Sequence, residues 1–170
     1  IAALATLDDE AVAEKLAGLL PSLDGRLQAL VISALAERHE PTVLPLLHTV
    51  LGSESEEARL AAMQAIAVHG NVSSIEPLCS IIEKTDNRPE RMAAVETLRR
   101  LHGDDVDSVL IQRMQKTAVA MRGDLMEVLA QRNAVSAVDA IIEQSQHDSL
   151  RPAAFRALTH LVTPDRLDDM

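Results

Sequence analysis

Apolar positions along this chain fall into a pattern that returns about every 31 residues. Ile66 has an apolar partner three residues before it, Met63, and another twelve residues after it, Leu78. The same triplet, with the same internal spacing, recurs as Ile1/Leu4/Leu16, Ile32/Leu35/Leu47, Val95/Leu98/Leu110, Met126/Leu129/Ile141 and Phe155/Leu158/Met170. Successive units are offset by 31, 31, 32, 31 and 29 residues. Three columns in register over the whole length mark an internal repeat. Each unit reads as two short helices. Helix A is predicted over 9–20, 42–52, 73–84, 105–117 and 135–146, and helix B over 25–38, 56–69, 89–102, 119–132 and 149–162. Gly70 and Gly103 stand where B helices end, and Thr42, Asp104 and Ser149 stand where N-caps are needed. Pro45 and Pro152 fall in first turns, where a missing N–H costs nothing.

Projection of helix B at 100° per residue shows how the units must associate. The arginine-column position seven before Ile66, with those four and three before it and Ile66 itself, forms the face toward helix A. The flank one residue earlier holds Ala34, Ala65, Thr97, Val128 and Ala157, and the flank six earlier holds Ala29, Leu60, Met92, Gly123 and Pro152. Only the positions two before and two after are consistently polar or mixed. A helix apolar on its face and both flanks has to be covered on three sides. Helix A covers one, and B helices of adjacent units cover the others, so the pattern predicts an all-α solenoid. The units run approximately 8–38, 39–70, 71–102, 103–133 and 134–163 within a single repeat domain over 1–170. Residues 1–7 match the tail of a B helix, and Met170 matches a position inside helix A. A segment of a larger protein, with truncated repeats at both ends, is therefore expected.

Composition narrows the possibilities. The chain has one phenylalanine, no tyrosine and no tryptophan, and its apolar content is mainly aliphatic. That suits closely packed helices and argues against β-rich folds. Net charge is −10, unevenly spread: residues 1–83 carry 4 basic and 12 acidic side chains, residues 84–122 carry 8 and 6, and residues 123–170 carry 4 and 8. An acidic chain without aromatics lacks both the phosphate-neutralising and the base-stacking contributions of a nucleic-acid binder. No apolar run is long enough to insert into a membrane, and no signal-peptide layout is visible. A cytoplasmic setting is expected.

The column seven residues before Ile66 reads Gln28, Arg59, Arg91, Arg122 and Arg151. An inward guanidinium requires a partner, and the preceding turns offer Asp24, Glu54, Asp86 and Asp148. A ladder of such pairs would set the stacking register. With these arginines, the stretches "SEEARLAAMQAIAVHGNVSSIEPLCSII" and "PERMAAVETLRRLHGDDVDSVL" resemble HEAT repeats, of the short class similar to PBS-lyase-type repeats. The resemblance covers essentially the whole chain and implies a right-handed superhelix of about five helical hairpins. In that family the arginine pairs with an aspartate in the turn before it. Here Ser22, Ser53, Thr85, Lys116 and Ser145 stand six residues before the column, which departs from the pattern.

Catalytic chemistry finds little support. His39, His48, His69, His102, His147 and His160 recur about once per unit rather than converging as metal ligands must. The His–Glu pairs of HEAT-like di-iron hydroxylases have one counterpart, His39-Glu40, in a turn rather than inside a helix. Cys79 follows Leu78 on a core-facing helix and reads as a small buried hydrophobe. No cofactor is expected, and no catalytic or metal residue is assigned. What remains is the concave polar stripe: Gln64, Glu96, Arg99, Arg100, Glu127, Gln131, Arg156 and His160. Arg99 and Arg100, with Lys84 and Arg88, make the middle of the array locally basic. The leading expectation is a non-catalytic scaffold binding a protein or peptide with an acidic segment. A regulatory or lyase-type HEAT domain associated with an enzyme, and a structural spacer in a transporter or signalling protein, stay open beside it.

Overall fold

The computed structural model describes residue 15 and residues 18–37 and 43–162. The predicted first helix A lies mostly outside them, as do Ile1, Leu4, Thr42, His39 and Met170. The described helices are α1 (Gly25–Ala36), α2 (Val43–Val50), α3 (Glu56–His69), α4 (Ile75–Lys84), α5 (Arg88–Arg100), α6 (Val106–Lys116), α7 (Val119–Gln131), α8 (Val138–Gln144) and α9 (Arg151–Leu161). In repeat terms α1, α3, α5, α7 and α9 are B helices, and α2, α4, α6 and α8 are A helices.

Local chemistry explains where the helices begin. Three B helices start on side-chain caps: Asp24, Ser55 and Asn87 accept from the backbone N–H groups of Leu27, Ala58 and Glu90. Each satisfies one of the four N–H groups that a helix start leaves without an internal partner. Two A helices start later than the periodicity predicts, because 3-10 turns at Val72–Ser74 and Val135–Ala137 take up their first residues. Asp104 and Ser149 are not caps. Asp105 and Leu150 precede α6 and α9, and neither makes a side-chain capping bond.

Packing runs from neighbour to neighbour. Each B helix lies against the next, α1 on α3, α3 on α5, α5 on α7 and α7 on α9, and each A helix packs on the B helix that follows it. The fold is an α-solenoid, and its core is one continuous strip. Ile32, Leu35, Met63, Ile66, Leu98, Met126 and Leu129 are fully buried, as the columns predict. Phe155 departs from its column. It is 60% exposed, because α9 is the last described helix and nothing described packs beyond it. Where a polar residue replaces alanine between B helices it is satisfied: buried Thr97 donates to Ala93 O at 2.7 Å in its own helix and lies 3.2 Å from Met63 O across the step.

Gly70 shows how close adjacent repeats approach. A Cβ there would lie 2.4 Å from Ile66 O and 2.6 Å from Leu101 Cδ2. Its carbonyl accepts from the backbone N–H of His102 in the next repeat at 3.2 Å. Gly103, by contrast, is needed for its backbone, with φ of 120°. No described helix is long and apolar enough to cross a membrane.

Candidate functional site

The arginine column works first through backbone carbonyls. Arg59 Nη1 donates to Ser53 O at 2.7 Å and Glu54 O at 3.0 Å, and Arg91 Nη1 to Ile82 O at 2.6 Å. Arg122 Nε donates to Thr117 O at 3.0 Å, and Arg151 Nε to Ser145 O at 3.4 Å. Gln28, standing in for arginine, gives its Nε2 to Leu20 O at 2.9 Å and Leu23 O at 3.1 Å. These carbonyls lie in the last turn of the preceding helix or in the turn after it, where acceptors lack intrahelical partners and the helix dipole favours a cation.

The carboxylate partners differ from those expected. Of the turn acids, Asp148 alone pairs with its arginine, Arg151. Asp24 caps α1, while Glu54 and Asp86 are exposed and form no ion pair among the described residues. Arg59 instead pairs with Glu90 and Arg91 with Asp124, each across to the next B helix. Glu90 stands in the first turn of α5, where the dipole favours an anion, while Asp124 lies in the second turn of α7. Arg122 reaches Gln144 Oε1 of α8 at 2.9 Å. Glu90 is 4% exposed, and the hydrogen bond from Arg59 holds its carboxyl below the usual range against the opposing effect of burial. Thr85, at the place the family gives to aspartate, adds its hydroxyl to Glu90 Oε2 at 2.6 Å.

Two further arginines were not singled out by the sequence pattern. Arg132 Nη1 donates to Arg99 O at 2.9 Å and Leu101 O at 2.8 Å, and its Nε pairs with Asp107. His69 occupies the same repeat position and donates from Nε2 to Ala36 O at 2.5 Å. That shared position, three residues after the Ile66-type column, was the available signal. Arg113 ties two A helices through Glu76 and Glu83. Burial works against its charge, but the two carboxylates keep its proton bound more tightly than usual.

The predicted stripe divides into three parts. Glu96 pairs with both Arg99 and Arg100 within α5, so the expected basic centre is partly neutralised. The Arg99 hydrogen bond holds the Glu96 carboxyl low. Lys84 lies apart from this ridge, at the end of α4 in a cleft beside Arg59 and Glu90. On either side of the ridge the B-helix surface carries a cleft. Between α1 and α3 one of about 210 Å³ is floored by Ala36, Ala61 and Ala65, with Gln64 and Val68 on its wall. Between α7 and α9 one of about 190 Å³ is floored by Ala130, Ala153 and Ala157. Its rim brings together Glu127, Gln131, Arg156 and His160. The alanines occupy equivalent repeat positions in both clefts. At the α5–α7 step Arg99 and Asp124 replace two of them, which raises the ridge.

Such a surface offers grooves and hydrogen-bonding groups. Among the described residues no three His, Cys, Asp or Glu side chains are grouped to hold a metal ion. Burial pushes the Cys79 thiol up to about 12, far from a reactive thiolate. His48, whose Nε2 lies 2.8 Å from Ser74 Oγ in the next repeat, is held below its usual value by burial. No curated protein matches the chain. A family model described as HEAT repeats matches residues 13–99, just over half of the sequence. With helical hairpins stacked neighbour on neighbour, and an arginine at the start of four B helices, half-buried in three of them, the chain belongs to the HEAT repeat family.

Proposed function

We propose that this segment is a non-catalytic scaffold of the cytoplasm that binds a protein or peptide through its B-helix face. The observation that carries this reading is the pair of alanine-floored clefts at equivalent repeat positions. Small side chains at the floor let a partner's side chains enter between adjacent B helices, and the polar rim supplies hydrogen bonds. The arginine column is read as structural, since its donors are committed to backbone carbonyls and to neighbouring acids. A partner with an acidic segment is favoured by the arginines on and beside the ridge.

A photoreactive amino acid placed at Gln64 or Gln131 on this face, and at Glu83 or Glu143 on A helices, tests the reading in cell extract. Crosslinking of the same discrete partner from the two B-helix positions, with none from the A helices, is expected. Equal labelling from both faces, or none from Gln64 and Gln131, overturns it.

A further inference from the structure

We propose that the cleft between α2 and α4 is a binding site for a small organic carboxylate, held at its charged end by Lys84 and Arg59. The cleft lies among A helices and the turns after them, so it stands or falls independently of the B-helix face. Comparison with the next step of the array shows what sets it apart. Between α4 and α6, Arg113 crosses to Glu76 and Glu83, and Thr117 gives its hydroxyl to Glu83 at 2.9 Å. One repeat earlier the positions of Arg113, Glu76 and Glu83 hold Ile81, Pro45 and Gly52, none of which forms an ion pair. Thr85, the counterpart of Thr117, turns to Glu90 instead. A second tie is missing at the same place. Arg122 bonds Gln144, but the residue in the Gln144 position beside Arg59 is again Ile81. What remains is an open cleft of about 490 Å³, a size that holds small ligands.

The lining combines spare cationic donors with an apolar wall of Leu51, Pro77 and Ile81. Arg59 gives Nε to Glu90 and Nη1 to two carbonyls, while its Nη2 donates to nothing among the described residues. Lys84 is exposed and makes no hydrogen bond or ion pair among them, and the Ser80 hydroxyl is likewise unbonded. His48 is engaged by Ser74. Of the described carboxylates, Glu90 alone lines the cleft, and both its oxygens already accept, one from Arg59 and one from Thr85. Glu76 and Glu83 face the other side of α4, where Arg113 holds them. Two cations against one acid leave a single positive charge in the cleft. A carboxylate balances it, whereas a phosphate dianion exceeds it beside Glu90. The ammonium and the spare guanidinium nitrogen give the carboxylate charge-assisted hydrogen bonds. A short hydrocarbon tail then covers the apolar wall and is removed from water.

The test titrates the 170-residue chain, isotope-labelled for NMR, with hexanoate, hexanol and inorganic phosphate in turn. Hexanoate is expected to shift the amide signals of Gly52, Ile81, Lys84 and Thr85 saturably, while hexanol and phosphate at equal concentration leave them nearly unchanged. Lys84→Gln should weaken hexanoate binding about tenfold. Lys116→Gln, at the equivalent place in the clamped step, should leave it unchanged. Gly52→Glu with Ile81→Arg rebuilds the clamp inside the cleft, and a Cβ at Gly52 meets Thr49 O at a van der Waals distance of 3.4 Å. Binding should be lost in that variant with its helical circular dichroism intact; if it does not fold, the two lysine variants decide. Hexanol binding as well as hexanoate, or phosphate binding more tightly, overturns the proposal. So does a Lys84→Gln chain that binds like wild type, or an equal loss in Lys116→Gln. None of these outcomes bears on the crosslinks from Gln64 and Gln131, so the B-helix reading is judged separately.

Discussion

Replacing Arg59 by alanine probes how the repeats are held in register. Arg59 is 19% exposed and its partner Glu90 carboxylate 6%, so the substitution strands a nearly buried carboxylate and frees the carbonyls of Ser53 and Glu54. Breaking a buried pair from one side costs about 3–5 kcal/mol. Arg91 and Asp124 are 34% and 30% exposed, so solvent screens that pair. Arg91→Ala should cost only about 1 kcal/mol. In urea, with a slope of roughly 2 kcal/mol/M, Arg59→Ala is expected to lower the unfolding midpoint by about 1.5 M or more. Arg91→Ala should lower it by about 0.5 M. The pH dependence has a definite sign. In the wild-type chain Glu90 is held below the ordinary 4.5, so its contribution is full above that value and is lost as pH falls through the lower folded-state value. Without Arg59, burial raises the Glu90 carboxyl, and protonation relieves the variant as pH falls. The gap between wild type and Arg59→Ala should therefore narrow from pH 7 to pH 4, and adding Glu90→Gln should recover much of it at pH 7. Equal midpoint shifts for the two arginines, or a gap independent of pH, would refute the burial argument.

Other substitutions test separate features. Arg132→Lys should destabilise the array by about 2 kcal/mol in urea unfolding, nearly as much as Arg132→Ala, because an ammonium cannot serve two carbonyls and Asp107 in the guanidinium's planar geometry; a lysine variant equal to wild type would count against it. Gly70→Ala and Gly123→Ala should act oppositely. The first drives a Cβ into Ile66 O and costs about 2 kcal/mol or more. The second meets Ala153 Cβ at an ordinary 3.8 Å within α7 and should raise stability by about 0.5–1 kcal/mol; the same sign for both would contradict the close approach seen at Gly70. Cys79, buried and shifted to about 12, should resist iodoacetamide at pH 8 in the folded chain and react once unfolded in urea, and alkylation at the same rate in both states would show that the thiol is not enclosed.

The solenoid was legible because one periodicity controls both helix formation and burial. The columns through Ile66 and Leu78 place α3 and α4 within a few residues of their observed ends. Partner choice was not legible in the same way. Whether Arg59 meets Glu54, five residues away in sequence, or Glu90, in the next repeat, depends on how one hairpin is rotated over another. No local spacing records that rotation. The same limit applies to the surface. The stripe positions could be read from the helical period, but Glu96 neutralising Arg99 and Arg100, and Arg156 remaining unpaired beside Glu127, depend on side-chain directions in three dimensions. Arg132 escaped notice because its equivalents are Arg38, His69, Leu101 and Leu161, so the column looks irregular until the carbonyls behind it are seen.

The steps of the array are not equally fastened. Between α1 and α3 His69 bonds Ala36; between α3 and α5 Arg59 meets Glu90 and Thr97 contacts Met63; between α5 and α7 Arg91 meets Asp124 and Arg132 grips the end of α5. Between α7 and α9 no hydrogen bond or ion pair crosses among the described residues, and small apolar surfaces such as Gly123 against Ala153 meet there. Dispersion contacts resist separation but offer little resistance to sliding and tilting, because they are non-directional. Arg122 still ties α7 to Gln144 of α8, so under thermal agitation the compliance is confined to the direct joint between α7 and α9. The cleft holding Arg156 is formed by that joint, so its width varies with the joint angle, and an occupant that bridged both walls would stiffen the whole end of the solenoid.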